Sequence, residues 1–222
     1  MYEYGQNPFY TYVSDGYVIV EGHGGELTVF SHAGASTTPT PAPVGTVTAQ
    51  VNTSSDDVFE DSTDSSYDIT GAVVSIGSAA NALTGFTGLR FNNLAIPRGA
   101  TITSAHLEIY SPSNQWITLQ FNIFAEAVGN SQTFSQTNRP SGRTLTLAKI
   151  FHNDNLNWLA NTWISLDEIA PVIQEVVNRS DWQPGNSLTV IIRSQLGPWA
   201  RKMITSFDGN PAFAPKLVVT YQ

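Results

Sequence analysis

The chain has 222 residues, of which only 13% are charged, and its formal net charge at pH 7 is −8. The first basic residue is Arg90, so residues 1–89 carry ten acids and no Lys or Arg, while the remaining ten basic and eight acidic residues sum to +2. A chain this acidic, without a cluster of Lys and Arg, lacks the electrostatic footprint of a nucleic-acid-binding protein, so we do not expect direct nucleic-acid recognition.

The N-terminal residues predict a small β-structured arm, assigned to residues 1–34. Two short β-prone runs, Tyr17–Val20 and Leu27–Phe30, flank a Gly-rich turn and predict one hairpin. A hairpin cannot bury the aromatic residues around it, so we expect a partner surface in a larger protein assembly, or a homo-oligomer, to cover them. The aromatic residues of this assembly arm are Tyr2, Tyr4, Phe9, Tyr10, Tyr12 and Tyr17.

Residues 35–45, ASTTPTPAPVG, combine alternating prolines with small residues, which is typical of an extended linker. The segment before the linker has no basic n-region followed by an apolar run, so we expect no Sec signal peptide. No stretch reaches the roughly 18 apolar residues of a membrane span, so membrane insertion is not expected. The chain has no Cys, which excludes disulfides and thiolate metal sites.

The stretch SSDDVFEDSTDSSYD, residues 54–68, holds six carboxylates without one basic residue. One interpretation is a Ca²⁺ site formed by Asp56, Asp57, Glu60 and Asp61, because calcium prefers carboxylate and carbonyl oxygens. The spacing does not match an EF-hand loop, so a solvated, mutually repelling loop is the alternative. A glycosidase carboxylate pair is a third interpretation, which would need one raised pKa and a sugar cleft.

Residues 46–222 read as successive short strands and predict an all-β, jelly-roll sandwich. Alternation places Ala105, Leu107 and Ile109 on one face of a strand. In QWITLQFNIF, Ile117, Leu119, Phe121 and Ile123 share one face, and Trp116, Thr118, Gln120 and Asn122 share the other. Further strands are predicted at 46–51, 88–92, 144–151, 187–193 and 216–221.

One helix is predicted at about 167–178, where apolar residues recur at helical spacing in SLDEIAPVIQEVVNR. Ser165 and Glu168 resemble a capping box ahead of it. Pro171 lacks an amide proton, so we place it in the first turn of the helix.

Several motifs in order resemble the DNRLRE-type carbohydrate-binding modules of bacterial surface and secreted proteins. They are SSDDVFED, GLRFNNLAIPRGATITSAHLEIY, TFSQTNRPSGRTLT, IAPVIQEVVNR, DWQPGNSLTVII and SFDGNPAFAPKLVVTY, spread over residues 46–222. The resemblance implies a jelly-roll module without catalytic activity, commonly attached to larger extracellular proteins, with sugar binding in some relatives.

The order of aromatic arm, linker and sandwich resembles phage fibre or capsid-decoration proteins, which need no signal peptide. We therefore expect a non-enzymatic structural and adhesion protein on a virion surface, anchored by residues 1–34. The alternative is a carbohydrate-binding module of a secreted polysaccharide-degrading or cell-surface system, at the cell surface or outside the cell.

The candidate sugar-binding residues are Trp116, Gln120, Asn122, Trp199 and Arg201. An exposed Trp beside amides suits stacking on a sugar ring, although contact with a neighbouring subunit or packing under a loop would also explain Trp116. Trp158, Trp163 and Trp182 are interpreted as core residues. The four His residues show no metal-ligand spacing, so no cofactor is expected apart from the Ca²⁺ considered above.

Overall fold

The computed structural model describes residues 11–14, 17–21, 27–31, 44–63 and 66–222. The chain divides into two units, Met1–Ala42 and Pro43–Gln222. The first unit contains an antiparallel sheet of three strands, β1 (Thr11–Ser14), β2 (Tyr17–Glu21) and β3 (Leu27–Ser31). The predicted hairpin is confirmed as β2 and β3, and β1 extends it.

Much of the predicted arm and linker lies outside the described residues. This holds for Tyr2, Tyr4, Phe9 and Tyr10 of the arm and for the linker as far as residue 43. Tyr12 lies on β1 and Tyr17 begins β2. Gly45, the last residue of the predicted linker, already begins the first strand of the second unit.

The second unit is an all-β sandwich with one short helix, which confirms the predicted fold class. A six-stranded sheet has the order β11-β10-β13-β8-β5-β6, a four-stranded sheet has the order β12-β9-β15-β4, and β14 pairs with β7 in a separate ribbon. Every strand pair is antiparallel. The strands are β4 (Gly45–Gln50), β5 (Asp57–Asp61), β6 (Tyr67–Asp68), β7 (Val73–Gly77), β8 (Gly85–Leu94), β9 (Ile102–Ser111), β10 (Leu119–Ala125), β11 (Ile150–Asp154), β12 (Thr162–Ser165), β13 (Asn186–Ser194), β14 (Arg201–Thr205) and β15 (Lys216–Tyr221).

The main core lies between the sheets and follows the predicted alternation. Ala105, Leu107 and Ile109 of β9 are fully buried, as are Leu119, Phe121 and Ile123 of β10. The prediction is wrong at Ile117, which is exposed because β10 begins only at Leu119. Of the predicted strand 144–151, only its last two residues belong to a strand, β11.

The helix, α1, spans Ala170–Val177 with Pro171 in its first turn, as predicted. The predicted capping box is wrong, because Ser165 ends β12 and makes no cap. The Glu168 carboxylate instead accepts hydrogen bonds from the backbone N–H groups of Ala170 (2.8 Å) and Ala105 (2.5 Å) and from the Ser104 hydroxyl (2.7 Å). Partial burial opposes ionisation, but these bonds hold the pKa of Glu168 below its usual value.

A second, smaller core covers the outer face of the six-stranded sheet. The connection between β10 and β11 packs Phe134 onto Val58, Phe86 and Ile191. Gly88 makes room for that ring, since a Cβ there would lie 2.3 Å from the Phe134 ring. The connection therefore covers the outer side of β8 and of β5, which belongs to the acidic stretch. No helix among the described residues is long and apolar enough to cross a membrane.

Candidate functional site

The Asp56 carboxylate is buried in an ion pair with Arg90, whose Nη1 donates to both carboxylate oxygens at 3.0 and 2.8 Å. Asn92 Nδ2 and the Thr133 hydroxyl also donate to it, each at 2.8 Å. The Arg90 guanidinium is itself anchored on the Ser131 carbonyl and the Ser187 hydroxyl. Asp56, which directly precedes β5, therefore links β8 to the connection between β10 and β11.

Asp57, Glu60 and Asp61 are buried too, and each has different partners. Asp57 accepts from the Phe207 N–H (2.7 Å), and Glu60 accepts from the Ser141 N–H and hydroxyl (both 2.8 Å). Asp61 accepts from the Ala80 N–H (3.0 Å) and from Thr63. Burial raises the pKa of Asp57 to about 7, and nearby Asp208 and Asp56 add to the effect.

The acidic stretch therefore begins as a 3-10 turn, Ser54–Asp56, that leads into β5, and its buried carboxylates hold distant loops in place. The solvated-loop interpretation is wrong for the four candidate residues, because each of them is buried. The structure does not bring them together as a calcium site either, since their hydrogen-bonded oxygens have separate protein donors, while Asp57 Oδ1 is buried without a hydrogen-bond partner among the described residues. Within residues 44–63 and 66–222, no group of three or more His, Asp or Glu side chains could hold a metal ion.

The predicted sugar-binding residues fall into two separate places. Trp116 is 66% exposed on the loop before β10 and does not belong to the strand that carries Gln120 and Asn122. Gln120 donates to Asn153 of the neighbouring strand, and Asn122 is buried. Because Trp116 lies outside β10, the predicted row of Trp, Gln and Asn along one strand face does not form.

Trp199 and Arg201 do lie together. Trp199 is 57% exposed and has a φ of 60°, an uncommon backbone conformation for a bulky residue. The Arg201 guanidinium lies 4.8 Å from the centre of the Trp199 ring and 5.9 Å from that of Phe59. This pair sits at one end of the β7–β14 ribbon, where Arg201 pairs with Gly77.

An open cleft of about 340 Å³ lies at the other end of the ribbon, where Thr205 pairs with Val73. We call it the Tyr110–Phe213 cleft. Its volume is at the lower end of the range for small-molecule sites. It is lined by Ala72, Val73, Tyr110, Pro112, Asn161, Thr205, Gly209, Asn210 and Phe213.

Local sequence places the aromatic wall of this cleft. Asn210 caps the 3-10 turn Pro211–Phe213, since its Oδ1 accepts from the Ala212 N–H at 3.0 Å. The turn directs Phe213 onto Tyr110, the two rings lying 4.1 Å apart and 7° from parallel. Gly209 permits the loop to approach β7, because a Cβ there would lie 2.0 Å from the Ala72 carbonyl oxygen.

Two amide side chains border the aromatic wall. Asn161 has a φ of 59°, which Asn tolerates better than most residues, and its Oδ1 lies 3.5 Å from the Tyr110 hydroxyl. Among the described residues, the Nδ2 of Asn161 and of Asn210 donates no hydrogen bond. The cleft thus combines two stacked aromatic rings with two amide donors.

Trp163 lies beside this cleft and not in the core, so its predicted core role is wrong. Its ring meets Tyr110 edge-on at 5.3 Å, and Lys216 Nζ lies 3.9 Å from its centre, both on the outer face of the four-stranded sheet. The other two predictions of this kind are confirmed, since Trp158 and Trp182 are buried. The cleft could not be predicted from sequence, because its lining comes from segments far apart in the chain.

No protein-family model matches the chain, and no curated protein matches it. The resemblance to DNRLRE-type modules therefore stays a prediction from the quoted motifs.

Proposed function

We propose that the chain is a non-enzymatic structural and adhesion protein whose second unit binds neutral glycans in the Tyr110–Phe213 cleft. The observation that carries this proposal is the stacked aromatic wall with the amide groups of Asn161 and Asn210 beside it. The C–H face of a pyranose packs on such a wall, and its hydroxyls accept from the amides.

The charges of the cleft favour a neutral ligand. No Asp, Glu, His, Lys or Arg is among the described residues that line it. Glycoside hydrolysis commonly needs two carboxyl groups that flank the scissile bond. The buried carboxylates of residues 56–61 instead accept hydrogen bonds from protein donors that hold loops in place. These features support binding over hydrolysis.

A glycan array with the full chain identifies the best neutral oligosaccharide, and calorimetry with that sugar tests the cleft. We expect Asn210→Asp to weaken binding about tenfold, which corresponds to the loss of one hydrogen bond of about 1.4 kcal/mol. The variant keeps an Oδ oxygen for the cap at Ala212 and removes only the amide donor. Phe213→Ala should weaken binding by a similar factor, because the sugar loses its apolar wall.

Trp116→Ala and Trp199→Ala are the matched controls, since both remove an exposed Trp outside the cleft. Both variants should bind as the parent does. Unchanged affinity in Asn210→Asp and Phe213→Ala, with binding lost in either Trp variant, would assign the sugar to the residues predicted from sequence and contradict the cleft.

The first unit supports an anchoring role in a larger assembly such as a virion. It is a 42-residue unit with strands of four or five residues, and the chain has no Cys to cross-link it. Units of about 40 residues usually need disulfides, metals or oligomerisation for stability. Docking of residues 1–34 onto further copies, or onto another protein of the assembly, supplies that stabilisation.

Native mass spectrometry tests self-association through the first unit. We expect the full chain to form an oligomer and the fragment 46–222 to be monomeric, because a unit of about 40 residues usually needs oligomerisation for stability. The same oligomer from both chains would place the contact on the sandwich and contradict the anchoring role.

A further inference from the structure

Lys202 is the one Lys among the described residues that is fully buried. Its Nζ lies 3.3 Å from Asp154 Oδ2, donates to the Leu156 carbonyl at 2.7 Å and sits 4.5 Å from the centre of the Trp158 ring. Asp154 is buried as well, at the end of β11, while Lys202 lies on β14. A Lys is rarely buried so completely, and here its reactive atom faces a single carboxyl group.

The surroundings of the pair resemble those of an acyl-transfer site. The Leu156 N–H donates to Asp154 Oδ1 at 2.8 Å, and the Trp158 indole N–H donates to Oδ2. Donors fixed on both oxygens of a carboxyl group stabilise charge that develops when its carbon is attacked. Burial lowers the pKa of Lys202, although Asp154 opposes this shift, and so favours the neutral amine that a nucleophile requires.

We propose that Lys202 and Asp154 form an intramolecular isopeptide bond that joins β14 to β11. The Lys202 Nζ attacks Asp154 Cγ, so an N–C bond forms, and the bond between Cγ and Oδ2 breaks. Of the three ammonium protons, one stays on the new amide and two leave with Oδ2 as water. An ammonium and a carboxylate thus become a neutral amide and water, and no oxidant or further reactant is needed.

The two contacts with Leu156 each have a place in this reaction, whereas the Trp158 indole N–H loses its acceptor when Oδ2 leaves. The Leu156 N–H holds Oδ1, which carries the negative charge of the tetrahedral intermediate and becomes the amide oxygen. The Leu156 carbonyl orients Nζ and then accepts from the new amide N–H. To form the amide bond, the side chains of Lys202 and Asp154 must bring Nζ from 3.3 Å beside Oδ2 to bonding distance from Cγ.

His152 stands on the side of the leaving oxygen. Its Nε2 is 3.9 Å from Asp154 Oδ2, its Nδ1 is 2.9 Å from Asp167 Oδ2, and its ring stacks on Phe121 at 4.6 Å. An imidazole on this side of the carboxyl group can deliver a proton to the departing oxygen once Oδ2 moves within hydrogen-bond reach. This position makes His152 a proton donor to the leaving oxygen in the proposed reaction.

The intact mass of the purified full chain under denaturing conditions tests the proposal directly. We expect a mass lower than the sequence mass by one water molecule. Digestion with trypsin should yield a branched peptide that joins residues 150–179 to residues 202–216, because an acylated Lys202 is no longer cleaved and the flanking cuts fall after Lys149, Arg179, Arg201 and Lys216.

Lys202→Arg is the matched control, because it keeps a cation beside Asp154 but cannot form the amide. Its mass should equal its own sequence mass. An intact parent chain at its full sequence mass overturns the proposal. So does a loss of water that persists in Lys202→Arg, since that loss would come from a cyclised Asp elsewhere.

Discussion

Replacement of Arg90 by Met is expected to lower the free energy of unfolding by about 3–5 kcal/mol, because it leaves the Asp56 carboxylate buried without its cation. The Arg90 side chain is 15% exposed and that of Asp56 is 1% exposed, so water cannot take the place of the guanidinium. Met keeps much of the apolar stem of Arg, which isolates the loss of charge from the loss of packing. Denaturant unfolding followed by far-UV circular dichroism measures the change.

Two further variants sharpen this test. Arg98→Met removes an exposed Arg with one hydrogen bond, to the Ser180 carbonyl, and should change stability by less than about 1 kcal/mol. Asp56→Asn in the Arg90→Met background should recover part of the loss, because the buried group is then neutral. Equal effects of Arg90→Met and Arg98→Met would show that the Asp56 ion pair does not hold the loops.

Asp57 should make the sandwich less stable as the pH rises from about 4 to 8. Its pKa is raised from 3.8 to about 7, so across that range the folded state binds a proton that the unfolded state has released. The protonated carboxyl group contributes fully to the free energy of unfolding below pH 3.8, and this contribution is lost as the pH rises through about 7. The shift corresponds to about 4 kcal/mol, and Asp57→Asn should remove this dependence.

Unfolding of the parent and of Asp57→Asn at pH 5 and pH 8 measures the effect. From pH 5 to pH 8, the free energy of unfolding of Asp57→Asn should rise by a few kcal/mol relative to that of the parent, because the Asn amide stays neutral. Asp208→Asn removes an exposed charge that raises the same pKa, so it should weaken the dependence only in part. A constant difference between parent and Asp57→Asn at both pH values would contradict a proton bound to Asp57.

The regular strands were predictable because their signal is local. Alternation in β9 and β10 identified the buried residues, and helical spacing identified α1 with Pro171 in its first turn. Prediction failed where partners are distant in sequence. Asp56 is neutralised by Arg90, and Glu60 accepts from Ser141, so a run of acids that reads as a loop is a buried strand.

The candidate site was beyond sequence reasoning for the same reason. Tyr110 and Phe213 meet only because β9 and β15 pair and the turn capped by Asn210 returns to the sheet. Trp163 sits in a short strand whose pattern does not distinguish the outer face of the sheet from the core. Exposed Trp116 and Trp199 are conspicuous in sequence, but neither lines the cleft.

The most direct test of glycan binding in the cleft is a two-dimensional ¹H–¹⁵N NMR titration of the full chain with the neutral oligosaccharide selected on the array. We predict that the side-chain amide signals of Asn161 and Asn210 shift with sugar concentration, together with the backbone signals of Phe213. Shifts confined to the loops of Trp116 and Trp199, with both Asn side chains unchanged, would contradict the assignment of the binding site.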